Sequence, residues 1–243
     1  MVISWKQQEV KETSQLENFY FFHDSNPVCN YKHVFLSSVT SSNYFGAYVG
    51  WTWQYMRDNL KRTIVTEANC NEMINNPQLY GVNDVIYNQY GNEYSIVSGH
   101  HRTCIAKFLE RKCVFVKVNE YRFDNELFDL YHKLCKSRIE IKAKDKVSHP
   151  KWELYFSSFK ITTSNREGII SFSRYYESLN PNFWESTLLR FSRFRDWITS
   201  KDDYYYWDIN KIRPSLRWLL LMYKTNASQL PPINEVAPLI LAN

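Results

Sequence analysis

The residue types best suited to chemistry in this 243-residue chain gather between positions 94 and 118, in Tyr-Ser-Ile-Val-Ser-Gly-His-His-Arg-Thr-Cys-Ile-Ala-Lys-Phe-Leu-Glu-Arg-Lys-Cys-Val-Phe-Val-Lys-Val. Two imidazoles, His100 and His101, and the guanidinium of Arg102 follow Gly99 without interruption. The first N–H groups of a helix lack partners inside it and stand at the positive end of its dipole, so a phosphate is favoured there. Ser98, Gly99, His101, Arg102 and Thr103 are accordingly expected to bind phosphate, with His100 taking part in the chemistry. A protonated imidazole and a fixed guanidinium would offset charge on the equatorial oxygens of a phosphoryl group in transfer. Such a transfer also needs a base or a carboxylate that positions the nucleophile, and Glu72 and Asp84 are the candidates nearest in the chain.

These residues depend on the elements that hold them. The β-rich run 94–97 reaches a turn at Ser98-Gly99. Ile105, Phe108 and Leu109 then recur on one helical face, and a second apolar run follows at 114–118. Upstream, 67–75 reads as a short helix stopped by Asn75-Asn76-Pro77, and 82–87 as a strand joined to 94–97 through a turn at 88–92. Together these predict a small mixed sheet with packed helices, an α+β core. An edge strand is expected within 1–30, a strand at 33–39, a serine-rich loop at 37–43 and a helix at 50–60.

Beyond residue 121 the pattern becomes helical. Leu127, Leu130, Tyr131 and Leu134 form a stripe within 125–137, and the charged run 138–146 reads as a linker or solvated helix end. Pro150 marks an expected boundary between a domain at 1–149 and a mostly helical, aromatic-rich region at 150–243. There Trp184, Leu188, Phe191, Phe194 and Ile198 make one amphipathic stripe, and Pro214 opens a further helix. Residues 231–243 read as a tail.

Composition narrows the class. Thirty Lys and Arg against 25 Asp and Glu leave a charge of +5, spread along the chain, which neither requires nor excludes nucleic acid. The five cysteines are odd in number and contain no C-x-x-C pair, which argues for reduced thiols. No apolar run is long enough to span a bilayer and the N-terminus turns polar early, so a cytoplasmic protein without a membrane partner is expected.

The segment Ser-Gly-His-His-Arg-Thr-Cys-Ile-Ala-Lys-Phe-Leu-Glu-Arg-Lys-Cys-Val-Phe-Val-Lys-Val, with the hairpin before it, resembles the ParB/sulfiredoxin superfamily over residues 67–120. That superfamily shows Gly-x-[His/Arg]-Arg at a helix start followed by a strand. The resemblance implies a nucleotide pocket in which His101 and Arg102 contact phosphates, with Asn69 and Asn71 on the preceding helix adding polar contacts to phosphate or ribose. His100 stands where sulfiredoxins place their catalytic cysteine, which excludes sulfinic acid reduction. The Gly-His-His-Arg form is closest to the free-serine-kinase branch. It implies transfer of the γ-phosphoryl group of ATP, or another nucleotide, with Mg²⁺, to a small hydroxyl-bearing metabolite. The alternative is a ParB-type, nucleotide-dependent DNA-binding protein without metabolic activity. A nuclease is disfavoured by the lack of a carboxylate cluster that would hold a resident metal. Trp51, Trp53 and Tyr55 read as core, and Arg190, Arg193 and Arg195 as a solvated face beside buried aromatics.

Overall fold

Val114, Val116 and Val118 alternate with Cys113, Phe115 and Lys117, and this period of two is what a strand with one buried face requires. In the computed structural model, which describes residues 4–43, 48–60, 66–80, 83–144, 151–163, 165–199 and 204–229, the three valines are buried while Cys113 and Phe115 are exposed. Contacts divide the chain into two compact units, residues 1–123 and 124–243. Both contain helices and a mixed sheet, so the fold is α+β, as expected.

Among the described residues the first unit holds six strands: β1 Lys11–Glu12, β2 Phe22–Phe35, β3 Val39–Ser42, β4 Ile86–Tyr90, β5 Glu93–Ser98 and β6 Cys113–Phe123. They lie in the order β1-β3-β5-β4-β6-β2. β4 and β5 form the expected antiparallel hairpin, closed at Gly91, whose φ of 61° suits a residue without a Cβ. β4 lies parallel to β6, and β3 parallel to β5. Helices α1 Trp53–Asp58, α2 Cys70–Asn75 and α3 His100–Phe108 complete the unit. Trp53, Met56, Cys70, Ile74, Ile105 and Ala106 pack from the helices onto Val34, Val39, Tyr87, Ile96, Val116 and Val118 of the sheet. Each such large apolar side chain contributes about 1.5–3 kcal/mol when fully withdrawn from water.

Several local expectations shift. Of the strand expected at 33–39, residues 33–35 end the 14-residue β2, Leu36–Ser38 form a 3-10 turn and Val39 begins β3; β2 is an edge strand that begins within the 1–30 segment. The serine-rich stretch 37–43 is not a loop throughout, because Val39–Ser42 is β3, with Ser41 and Ser42 fully buried between neighbours. Serine has weak strand preference, and only sheet pairing on both sides satisfies this backbone. Trp53 is core as expected and Trp51 is partly buried, whereas Tyr55 is 51% exposed. Of the expected strand 82–87, Val82 lies outside the described residues, 83–85 are not strand, and β4 runs on to Tyr90, so the turn expected at 88–92 narrows to 91–92.

The second unit contains α4 Asn125–Lys136, β7 Glu140–Lys144, β8 Lys151–Tyr155, β9 Lys160–Thr163, α5 Arg166–Ser178, α6 Phe183–Leu188, α7 Ser192–Thr199, β10 Tyr204–Tyr206 and α8 Pro214–Asn226. Its sheet runs β10-β9-β8-β7. The charged run at 138–146 is thus not a linker over its described part. Ile139, Ile141 and Ala143 are buried and alternate with Glu140 and Lys142, so a strand's period was present beneath the charges. β7 pairs antiparallel with β8, and α4 and β7 belong to the 124–243 unit. The stripe expected across 184–198 is split by a turn at Leu189 and Arg190, which breaks its phase: Leu189 and Ile198 are buried, but Trp184 is 73% and Phe191 59% exposed. Pro214 opens α8 at its first turn, where the missing N–H costs nothing. The proposed boundary at Pro150 and the tail at 231–243 lie outside the described residues. Among the described residues no helix is long and apolar enough to cross a membrane.

One residue fixes how α4 and α5 start. Asp124 accepts the Leu127 N–H at 3.0 Å as the cap of α4, and its carboxylate also receives the Arg166 guanidinium from the first turn of α5. Its side chain is only 8% exposed, so loss of the carboxylate leaves an orphan N–H and a partly unpaired cation. Asp124→Ala is expected to lower stability by about 2–3 kcal/mol in urea denaturation, whereas Asp124→Asn, which keeps the cap, should cost about half as much.

Candidate functional site at the start of α3

β5 ends at Ser98, and the chain turns into α3 through Gly99 at φ 89°. A Cβ on Gly99 would lie 2.8 Å from Cγ2 of the buried Val85, so both the backbone conformation and the close approach exclude a side chain here. The turn is closed from the helix side: the Thr103 hydroxyl donates to the Gly99 carbonyl at 3.0 Å. With that proton committed, the Thr103 oxygen accepts from the fully buried Tyr87 hydroxyl at 2.8 Å, and burial pushes the Tyr87 phenol upward in pKa, keeping it a donor. Thr103, 1% exposed, therefore ties the turn to β4 and is not presented to a ligand.

The two imidazoles are held by one ring. His100 stacks on Tyr48 at 4.8 Å and 21°, and its Nε2 lies 2.8 Å from the Ser42 hydroxyl at the end of β3. His101 meets Tyr48 edge-on, its Nε2 3.1 Å from the tyrosine hydroxyl. His100 is buried and His101 half-buried. Desolvation, followed by repulsion from His101, lowers the His100 pKa from 6.5 to about 4, so this ring is neutral at physiological pH. The expected protonated imidazole is thus absent at position 100, because a charged ring cannot be solvated there.

Arg102 is placed differently from the expectation that it binds phosphate. It is 6% exposed, and its guanidinium donates to the Met73 carbonyl at 3.1 Å and to the Asn83 carbonyl at 2.6 Å. Met73 lies in the last turn of α2, whose carbonyls have no partner within the helix, so Arg102 caps α2 from the side. Burial lowers its pKa, but nearby anionic or acidic groups, Asp84 among them, oppose the shift and the group stays cationic.

The remaining candidates divide. Ser98 is half-buried at the strand end beside the turn, and pairs with Ile86 in the hairpin. Asp84 is half-buried next to Asn83 and accepts the Tyr31 hydroxyl at 2.8 Å, which places a carboxylate on the segment that Arg102 braces. Glu72 is exposed on α2, whose buried residues are Cys70, Met73 and Ile74. Asn69 spends its side-chain carbonyl on the Thr66 N–H at 2.7 Å, closing the turn before α2, and Asn71 is half-buried on that helix. Cys70 and Cys104 donate to backbone carbonyls and are pushed by burial to about 11 and about 12, which leaves them inert thiols. Sequence reasoning missed Ser42 and Tyr48. Both lie more than 50 positions from the histidines they hold, and nothing in spacing or composition links them.

Comparison with family models, curated proteins and solved structures returns no match to this chain.

Two predictions follow from the anchoring groups. Arg102→Ala should cost about 2–3 kcal/mol of stability by urea denaturation, since the buried Met73 carbonyl and the part-buried Asn83 carbonyl lose a charged donor, and Arg102→Lys should recover only part because an ammonium cannot reproduce the fork. Stability should also fall in mild acid. The unfolded chain binds a proton at His100 near pH 6.5 and the folded chain only near 4, so the contribution is complete above 6.5 and is lost as pH falls toward 4. The difference is at most about 3 kcal/mol, and His100→Gln should flatten that part of the stability–pH curve relative to the native chain.

Proposed function

We propose that the start of α3 holds a nucleotide phosphate and that the chain is a Mg²⁺-dependent phosphotransferase, passing the γ-phosphoryl group of ATP or a related nucleotide to a small hydroxyl-bearing metabolite. The observation that supports this most is the entry into α3. A glycine at φ 89° delivers the end of β5 into a nine-residue helix whose first two side chains are imidazoles, both held by Tyr48. The resemblance of Gly99-His100-His101-Arg102 and its flanking hairpin to the ParB/sulfiredoxin superfamily points the same way.

On this reading the backbone from Gly99 into the first turn of α3 supplies the N–H donors, and His101, the less buried imidazole, adds a side-chain contact. His100 contributes as a neutral group fixed by Ser42 and Tyr48. Arg102 acts through its brace between α2 and the 83–85 segment, and is a positioning residue. Asp84 on that segment is the better placed carboxylate for a base, with Glu72 on the outside of α2 the weaker candidate. Among the described residues no three His, Cys, Asp or Glu side chains cluster to hold a resident metal. Mg²⁺ is commonly held by phosphate oxygens, water and one or two carboxylates, so on this reading it would arrive with the nucleotide. Mg²⁺, when bound, would supply charge neutralisation for the phosphates.

A second reading, the nucleotide-dependent DNA-binding protein, draws on α6 and α7. Arg190, Arg193 and Arg195 are exposed as expected, but Phe191 beside them is exposed too, and so is Trp197. Aromatic faces among guanidinium groups suit stacking on bases.

Thermal unfolding with ATP, ADP and CTP, each with and without Mg²⁺, tests both. At 100-fold excess over its Kd a bound nucleotide adds about 2.7 kcal/mol, which raises Tm measurably. His101→Ala should shrink that rise while leaving the ligand-free Tm nearly unchanged. If no nucleotide shifts Tm, the phosphate site is wrong. A nucleotide shift with no phosphoryl transfer to any hydroxyl metabolite, accompanied by salt-sensitive DNA binding, would favour the second reading.

A further inference from the structure

Lys107 has no role in the site just described, yet its setting is unusual for a lysine. It is seven residues beyond His100, which returns it to the same face of α3 near the helix's other end. Its ammonium donates to the Val39 carbonyl at 2.8 Å and lies 3.9 Å from the centre of the Trp53 ring. The strand and helix are thus clamped twice, Ser42 to His100 at one end and Val39 to Lys107 at the other. Among the described residues no carboxylate pairs with Lys107. Its desolvation is reflected in a pKa lowered from 10.5 to about 8.

Lys107, Val39 and Trp53 are among the residues that line a cavity of about 1330 Å³ within the first unit. That volume exceeds the roughly 300–1,000 Å³ of most small-molecule sites, so a ring-sized ligand has room. The charge of the lining is uneven: Lys11, Lys107, Arg111 and Lys112 face Glu9 and Glu110. Of the four cations Lys107 is half-buried and the others are exposed. Trp5 and the 63% exposed Phe35 join Trp53 as the aromatic residues of the lining.

We propose that this cavity binds a small organic anion, a carboxylate or phosphate carried on a flat apolar ring, with Lys107 as its counter-ion and Trp5 and Phe35 flanking the ring. The physical reason is the ammonium's environment. One carbonyl and one ring face compensate an ammonium drawn out of water only in part, and an anion entering the cavity would complete the pairing. Gly99 lies eight residues back along α3, about 12 Å away at 1.5 Å per residue, so this site is separate from the proposed phosphate site and its test does not depend on that reading.

Trp fluorescence of the full-length chain titrated with 2-naphthoate, phenyl phosphate and the uncharged 2-naphthamide provides the first measurement. Saturable binding of one or both anions, at least about tenfold tighter than the amide, is expected, the factor corresponding to one charge-assisted contact. Lys107→Met should weaken anion binding by about tenfold or more, and Lys107→Arg should retain most of it. Because either variant could disturb the Val39 clamp, a second measurement uses the native chain: acetic anhydride labelling read by peptide mass spectrometry. Saturating anion should protect Lys107 while leaving exposed Lys133 labelled as before. The proposal is overturned if neither anion binds saturably, if the amide binds equally well, or if Lys107 labelling is indifferent to bound anion.

Discussion

A guanidinium turned inward is the interaction on which the first unit's arrangement rests. Arg102 leaves the first turn of α3 and ends on two backbone carbonyls, one from the last turn of α2 and one from the segment that leads into β4. Three pieces of chain distant in sequence are therefore fastened at one cation. A group of this kind is costly to bury and more costly to leave unpaired, so its carbonyls must be in place whenever the fold is formed. The same brace fixes Val85 under Gly99, and Val85 is what makes a glycine necessary there.

The chemistry available at the helix start follows from that packing. With Arg102 turned away, positive character near the turn comes from the helix dipole and whatever His101 supplies, while His100 is kept neutral by burial against Tyr48 and Ser42. A neutral imidazole offers one hydrogen-bond donor and one acceptor, whereas a charged one offers donors alone. The sheet then limits motion: Thr103 and Tyr87 lock the turn to β4, and Lys107 locks the far end of α3 to β3. Both ends of this helix are anchored, so the turn before it is a preorganised element and not a mobile loop.

In the second unit, stability is gathered at helix starts. Asp124, Asn165 and Asn182 each accept an N–H from the first turn of the helix they precede, and Glu185 returns the favour at α6 while also binding Arg217 at 2.9 Å. α6, α7 and the turn between them, by contrast, bury little beyond Leu189 and Ile198 and leave Phe183, Trp184, Phe191 and Trp197 to solvent. An amphipathic stripe read from 184 to 198 presumes one continuous helix. The turn at Leu189 and Arg190 resets the phase, and the residues counted as one face point in more than one direction.

What the sequence determined by itself is the local order: hairpin, glycine turn, α3 and β6, the helix over 125–136, and the proline-led α8. Those elements are written in short-range patterns, periodicity, caps and turn residues, which act within a few positions. Which way a side chain turns at the end of an element is a different matter. The inward course of Arg102, the neutral state of His100, the pairing of Ser42 with it and the strand hidden in the charged run at 138–144 all depend on partners 19 to 58 positions away or on sheet neighbours. Such choices are settled by desolvation, since a polar group leaves water only where distant chain supplies its hydrogen bonds, and that supply exists only once the tertiary structure has formed.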